Sequence, residues 1–303
     1  MRVLVTGASG MIGSALCNAL LARGDEVVGL SRDPERARAT NPTTRWFAWQ
    51  ATMERPPAGA FEGVDGVINL IGERIFQRWT EAAKARIMES RRTATRNLVD
   101  AIAGLESRPS VLLSQSAVGY YGDHGEAIVD ESTPPGDRFD SEVTVEWESA
   151  AQEVDGLGTR LVITRTGIVL DPAGGMLAQT LRPFRLGLGG PIGTGRQYMP
   201  WIHRDDEIAI LLWALDNARV AGAVNATAPN PVTNREFSKA LGRVLGRPAV
   251  MRVPTFALRT IFGPELTEVA TDSQRVVPRR ALDLGFDFRF PELEQALRDL
   301  LRG

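Results

Sequence analysis

The chain has 303 residues, 43% of them hydrophobic and 24% charged, and carries a net charge of −2. That length buries an ordinary core without staples, and the near-neutral balance removes the electrostatic case for nucleic acid or an anionic membrane as partner. A single cysteine, Cys17, excludes an intrachain disulfide and agrees with a reducing compartment. The opening Met1-Arg2-Val3-Leu4-Val5-Thr6 reaches a glycine turn at once, so it predicts a strand rather than a signal segment. No apolar run approaches the roughly 18–20 residues of a membrane span, and a cytoplasmic location is expected.

Elements alternate along the chain. Val3–Thr6 predicts a strand, Met11–Arg23 a helix, Glu26–Ser31 a second strand and Thr44–Trp49 a third. Gly66–Ile71 is a continuous apolar run suited to a strand buried on both faces. Thr80–Ala103 predicts a long helix stopped at Gly104, and Ser110–Ser114 another buried strand. A helix over Glu142–Val154 and a strand over Arg160–Leu170 follow. This alternation implies an α/β fold, a doubly wound parallel Rossmann sheet over residues 1–170. Residues 171–303 form a smaller mixed region that covers substrate, with 201–230 returning to the sheet. There Leu186–Gly195 is a glycine-rich loop, and Asp206–Asn217 is a helix. Val224–Ala228 is a short strand, and Asn234–Leu245 is a helix capped by Thr233 or Asn234. The tail from Pro248 ends in a helix, Pro291–Leu301.

The first chemical motif is Gly7-Ala8-Ser9-Gly10-Met11-Ile12-Gly13. Glycine permits close backbone approach, and this triplet joins a strand to a helix whose N-terminus can face a pyrophosphate. The end of the second strand addresses the ribose. An acidic residue about 20 residues on would bond the 2′-hydroxyl of NAD. Ser31-Arg32 stands there instead, followed by Asp33. A hydroxyl and a guanidinium suit a 2′-phosphate, so the expected cofactor is NADP(H).

With these residues in view the chain resembles the extended short-chain dehydrogenase/reductases of the NAD-dependent epimerase/dehydratase group. The turn carries the resemblance, with Asn69-Leu70-Ile71-Gly72, Ser114-Gln115-Ser116-Ala117-Val118-Gly119-Tyr120-Tyr121-Gly122 and Trp201-Ile202-His203-Arg204-Asp205-Asp206. Arg78-Trp79-Thr80, Ser90-Arg91, Gly187-Leu188-Gly189-Gly190-Pro191-Ile192-Gly193, Arg247-Pro248, Val276-Val277-Pro278 and Gly285-Phe286 point within it to the subfamily labelled epimerase family protein, or cell-division-inhibitor-like nucleotide-sugar epimerase. The resemblance implies that Leu70, Ile71 and Gly72 pass beneath the adenine ribose and pyrophosphate. It implies that Arg86 or Arg91 reaches the phosphates, and that Gly167, Ile168 and Val169 pass near the nicotinamide. A homodimer through the two long helices is usual for the group.

One departure changes the chemistry. The family uses a Tyr-x-x-x-Lys pair, in which the lysine lowers the tyrosine pKa. Four residues after Tyr120, Tyr121 and Tyr198 stand His124, Gly125 and Ile202, so the pair is absent. If Glu148 matches the family's glutamate, Thr144 takes the lysine position and Asp140 the tyrosine position. Ser116 keeps the family's serine and is a candidate donor to a substrate carbonyl. Tyr120 or Tyr121 is a candidate proton source, with Asp140 or Glu142 as alternatives. Arg196, Gln197 and Trp201 are the expected substrate contacts, the arginine for an anion and the tryptophan for a ring. No metal is expected. The leading reading is an NADP(H)-dependent oxidoreductase or epimerase acting on a small carbonyl or hydroxyl substrate. A sensor that binds NADP(H) without turnover and a strict nucleotide-sugar epimerase are the alternatives.

Overall fold

The computed structural model describes residues 1–302. Strand and helix alternate from the start: β1 (Arg2–Thr6), α1 (Met11–Ala22), β2 (Glu26–Ser31), α2 (Pro34–Thr40), β3 (Arg45–Ala48), β4 (Gly66–Asn69), α3 (Glu81–Ala103) and β5 (Val111–Ala117). Next come β6 (Ile128–Val129), α4 (Phe139–Gln152), β7 (Arg160–Thr166), β8 (Ile168–Leu170) and α5 (Gly175–Arg185). They are followed by β9 (Tyr198–Met199), β10 (Trp201–His203), α6 (Arg204–Asp216), β11 (Gly222–Ala226), β12 (Val232–Thr233) and α7 (Asn234–Leu245). The tail holds α8 (Thr255–Phe262), α9 (Pro264–Thr271), β13 (Arg275–Val276), α10 (Arg279–Asp283) and α11 (Leu293–Leu301).

Seven strands form one parallel sheet in the order β11-β7-β5-β4-β1-β2-β3. Successive side chains on a strand face opposite ways, and the packing follows. Val3 and Val5 join Leu16, Cys17 and Leu20 of α1 and Ile210 and Leu211 of α6. Leu4, between them, joins Leu98, Val99 and Ile102 of α3 and Ala151 of α4. Both faces are covered, which is why the strands are apolar runs rather than alternating ones. The doubly wound parallel sheet is therefore as expected. A third core sits outside it, where Leu177, Leu181 and Phe184 of α5 meet Phe237 and Leu241 of α7 and Leu293 and Leu297 of α11. Small pairings, β8 with β10, β9 with β12 and β6 with β13, tie this region down.

Three local departures have physical causes. Helix α2 was not expected, although Pro34 opens it and the Asp33 carboxylate caps it by accepting from Arg36 N at 3.1 Å. The single strand expected over Arg160–Leu170 breaks at Gly167, where a Cβ would stand 2.1 Å from the Pro200 carbonyl oxygen. The chain then leaves the large sheet, and β8 pairs with β10. Helix α4 opens at Phe139, ahead of the expected Glu142, which brings Asp140 into its first turn.

Candidate active site

The crevice lies at the carboxyl ends of β1 and β4, where the strand order reverses. Gly7 leaves β1 with φ 62°, a left-handed conformation that suits glycine. A Cβ on Gly7 would stand 2.7 Å from the Leu70 carbonyl oxygen, and one on Gly13 would stand 2.2 Å from that of Gly7. The glycines thus let the loop after β1, the loop after β4 and the first turn of α1 close on one another. Gly10 is the N-cap of α1, with no side-chain cap and no acidic residue in the first turn. Side chains cap α2, α3, α6 and α7, through Asp33, Thr80, His203 and Thr233, while α4 and α5 are uncapped like α1. Ser9 and Gly10 are exposed, with Met11 and Ile12 half-buried behind them. Open amides at the positive end of a helix dipole make an anion site.

Beneath the crevice a polar cluster fixes the loops. Thr6 Oγ1 donates to Asn69 Oδ1 at 2.7 Å and accepts from Leu70 N at 3.1 Å. Asn69 Nδ2 donates to Thr95 and Ser114 hydroxyls at 3.0 and 3.3 Å. Ile71 is half-buried and Gly72 exposed. The Arg91 guanidinium lies 3.0 Å from where a Gly72 Cβ would be, and it donates to the carbonyls of Glu73 and Ile87. Arg91 therefore braces the loop after β4, while Arg86 is an exposed charge on α3.

At the end of β2, Ser31 is half-buried and Arg32 exposed, and the Arg32 side chain has no partner among the described residues. The acidic neighbour does not neutralise it, because Asp33 is committed to the cap of α2. Arg36, one turn into α2, is likewise exposed and without an ion pair among the described residues. Its place beside Arg32 follows from helix α2, which brings it back one turn into the helix.

The other end of the crevice is built differently. Ser116 is 1% exposed, and its hydroxyl donates to Glu148 Oε1 at 2.6 Å. Arg165 grips the same carboxylate through Nε at 2.9 Å and Nη2 at 2.8 Å. Burial opposes the Arg165 charge, and the hydrogen bonds and charge of Glu148 outweigh burial, so the guanidinium is held charged. Arg165 also donates to Tyr121 Oη at 3.1 Å, and Tyr121 donates to Asn225 Oδ1 at 2.6 Å. Asn225 N in turn donates to Glu131 Oε1 at 2.9 Å. One buried network thus spans β5, α4, β7, β11 and the loop after β6.

This network corrects two expectations. The Tyr121 hydroxyl spends its proton on Asn225 inside the protein, and burial pushes its pKa up to about 12 despite the neighbouring Arg165. The Ser116 hydroxyl is turned to Glu148 rather than to an open pocket. Tyr120 is half-buried with its ring face on the Arg165 guanidinium, 3.4 Å from centroid. Gly167, Ile168 and Val169 sit just beyond β7, with Ile168 N donating to Pro200 O.

Two further buried carboxyls stand out, Asp140, an alternative proton source in the sequence, and Glu207, which the sequence did not mark. Asp140 is 5% exposed, both its oxygens are buried without a side-chain partner, and burial raises its pKa. Glu207 of α6 is fully buried; Thr166 donates to its Oε1 at 3.0 Å, its Oε2 has no partner, and burial pushes its pKa up to about 8. Buried, unpartnered polar side chains were the signal, and sequence does not display burial.

The expected substrate contacts separate. Arg196 is exposed. Gln197 is 9% exposed and donates to Ile192 O, so it holds the glycine loop from inside. Trp201 is 0% exposed in the third core, its indole N–H donating to Asn230 O at 3.1 Å. It is a core residue, not a stacking platform. His203 is also structural: Nδ1 accepts from Asp205 N at 3.0 Å, capping α6, and the ring stacks on Phe290. Its Nε2 lies 3.4 Å from Asp299, with Asp205 also near. Because Nδ1 accepts, the neutral ring holds its proton on Nε2 and has no lone pair there for a metal.

This geometry agrees with comparisons to known proteins. The model of the NAD dependent epimerase/dehydratase family matches residues 3–226, and a domain of unknown function (DUF1731) matches 253–300. The chain is 39% identical over 305 residues to the Homo sapiens epimerase family protein SDR39U1, covering 99% of this chain and 100% of that one. It is 36% identical over 303 residues to the Bacillus subtilis epimerase family protein YfhF, covering 99% and 98%. A crystal structure of human SDR39U1 with NADPH superimposes with a TM-score of 0.90 at 38% identity, covering 99% of each chain. The glycine turn, the reversal of strand order beside it and the match along most of the sheet agree: the chain belongs to the NAD-dependent epimerase/dehydratase family.

Proposed function

We propose that this chain binds NADP(H) and is an oxidoreductase or epimerase-like enzyme acting on a small carbonyl or hydroxyl substrate. The observation that carries the cofactor choice is the free guanidinium of Arg32 at the end of β2, with Asp33 diverted to a helix cap. The turn of Gly7, Ser9, Gly10, Met11, Ile12 and Gly13 would take the pyrophosphate on open amides. Ser31, Arg32 and Arg36 would take the 2′-phosphate. Leu70, Ile71 and Gly72 would lie under the adenine ribose, and Gly167, Ile168 and Val169 beside the nicotinamide. The human relative solved with NADPH supports the same reading. When bound, the dinucleotide supplies hydride; the chain supplies position, exclusion of water and a proton.

Calorimetric titration with NADPH and NADH tests this. NADPH should bind more tightly, and Arg32→Ala should weaken NADPH about 10–100-fold, as loss of a charge-assisted hydrogen bond does, while leaving NADH unchanged. Equal binding of the two, indifferent to Arg32→Ala, would sink the proposal. One observation favours a second reading, a sensor without turnover: the Ser116 and Tyr121 hydroxyls are both committed inside the protein. Binding of NADPH with no hydride transfer to any of a broad panel of carbonyls would select it.

A further inference from the structure

A site that moves hydride must also move a proton, and the family's tyrosine–lysine pair is absent here. The loop hydroxyls do not replace it, since Ser116 donates to Glu148 and Tyr121 to Asn225. Thr144, in the lysine position, is also occupied: its hydroxyl donates to the carbonyls of Asp140 and Ser141 within α4. Glu148 is held by Arg165. Glu142 is exposed on α4.

Asp140 is different from all of these. It lies in the first turn of α4, and its Oδ2 is 3.4 Å from where a Cβ on Gly119 would be. Gly119 stands two residues past the end of β5, so the carboxyl lies near the carboxyl edge of the sheet, where this fold places its ligands. The side chain is 5% exposed and neither oxygen has a side-chain donor. Burial opposes the charge on this carboxyl more than Arg138 and the backbone amides of Asp140 and Ser141 favour it, which shifts it towards the neutral acid. The charges around it are engaged elsewhere. Arg138, the neighbour that acts on it, is bound to Asp272. Lys84 of α3 lies over the Phe139 ring and is bound to Glu265 and Glu81. Arg91 of α3 lies over the Trp147 ring and bonds backbone carbonyls.

We infer that Asp140 is the proton-carrying residue of this site, a neutral carboxylic acid held at the edge of β5 to protonate a substrate oxygen. The inference rests on the dinucleotide reading above and deepens it. In the reductive direction the substrate carbonyl carbon accepts hydride from the reduced dinucleotide, and the carbonyl π pair moves onto oxygen. That oxygen takes the proton from the Asp140 carboxyl, leaving Asp140 as a carboxylate and the dinucleotide oxidised. Water then returns a proton to Asp140. In the oxidative direction the carboxylate accepts the hydroxyl proton as hydride leaves carbon. A structural role would be met as well by an apolar residue or by a partnered acid.

The test uses infrared difference spectra of the full chain, wild type against Asp140→Asn, with and without NADPH, beside calorimetric titration of both. Asparagine keeps the shape and has no acid proton. The expected result is a protonated-carboxyl band at neutral pH that Asp140→Asn removes, beside the Glu207 band common to both chains, and that shifts when NADPH binds, with NADPH affinity equal in the two chains. With phenanthrenequinone as carbonyl probe, Asp140→Asn should lower kcat about 10²–10⁴-fold and leave KM nearly unchanged. Asp140→Ala gives the same difference band if the asparagine variant folds poorly. If both chains bind NADPH but the wild type shows no such band, or one indifferent to NADPH, Asp140 is not the proton carrier and the cofactor reading stands. Failure of both chains to bind NADPH removes the cofactor reading, and this inference with it.

Discussion

The two ends of the crevice use polar groups in opposite ways. At the β1–β2 end they stand open, with an uncapped helix N-terminus at Gly10 and free guanidinium groups at Arg32 and Arg36. At the β5–β7 end they satisfy one another, from Ser116 through Glu148, Arg165 and Tyr121 to Asn225. An open donor with no internal partner awaits a ligand, whereas a paired one holds the fold. Family resemblance therefore carries over differently at the two ends. The binding end keeps the family's backbone architecture. At the β5–β7 end Ser116 donates to Glu148, and the carboxyl without a side-chain partner is the buried Asp140.

That contrast can be broken by mutation. The largest effect is expected at the Glu148–Arg165 pair, whose side chains are each 6% exposed. Arg165→Met leaves a buried carboxylate unpaired and should lower stability by about 3–5 kcal/mol in urea denaturation. Adding Glu148→Gln should restore much of the loss. A stability change near zero, with NADPH binding lost instead, would make the network a ligand site and reverse the comparison.

Glu207 sharpens it through pH. Its pKa rises from an ordinary 4.5 to about 8, because burial disfavours the charge. Between those values the folded chain holds a proton that the unfolded chain has released. Stability must therefore fall as pH rises through that window. Glu207→Gln should flatten this part of the stability–pH curve, measured by denaturation at a series of pH values. An unchanged slope would show that Glu207 is ionised in the folded protein.

Ser116→Ala is the smallest and most direct test. It should cost about 1 kcal/mol of stability by removing one donor from Glu148, with NADPH affinity unchanged. A large loss of turnover at unchanged stability would return Ser116 to a catalytic role.

Much of the architecture was legible because it is local. Apolar runs separated by a periodic helix and a glycine turn define β1, α1 and β2, and each glycine there answers a short-range steric demand. The signal for α2 is local as well, in the capping Asp33 and the helix-opening Pro34. The interruption at Gly167 was not legible, since its cause is the Pro200 carbonyl, which meets it only in the folded chain. The same holds for Trp201, where residue type suggested stacking and burial decided otherwise.

What the sequence determined by itself is the backbone of the binding end: strand, glycine turn, helix and the basic residue at the second strand's end. These lie within a few dozen residues and act through conformational preference and charge. Tertiary structure alone decided which side chains remain free. Ser116 meets Glu148 across 32 positions, and Tyr121 meets Asn225 across 104. Hydrogen-bond satisfaction depends on who lies across the packed interior, and composition and spacing do not contain that information.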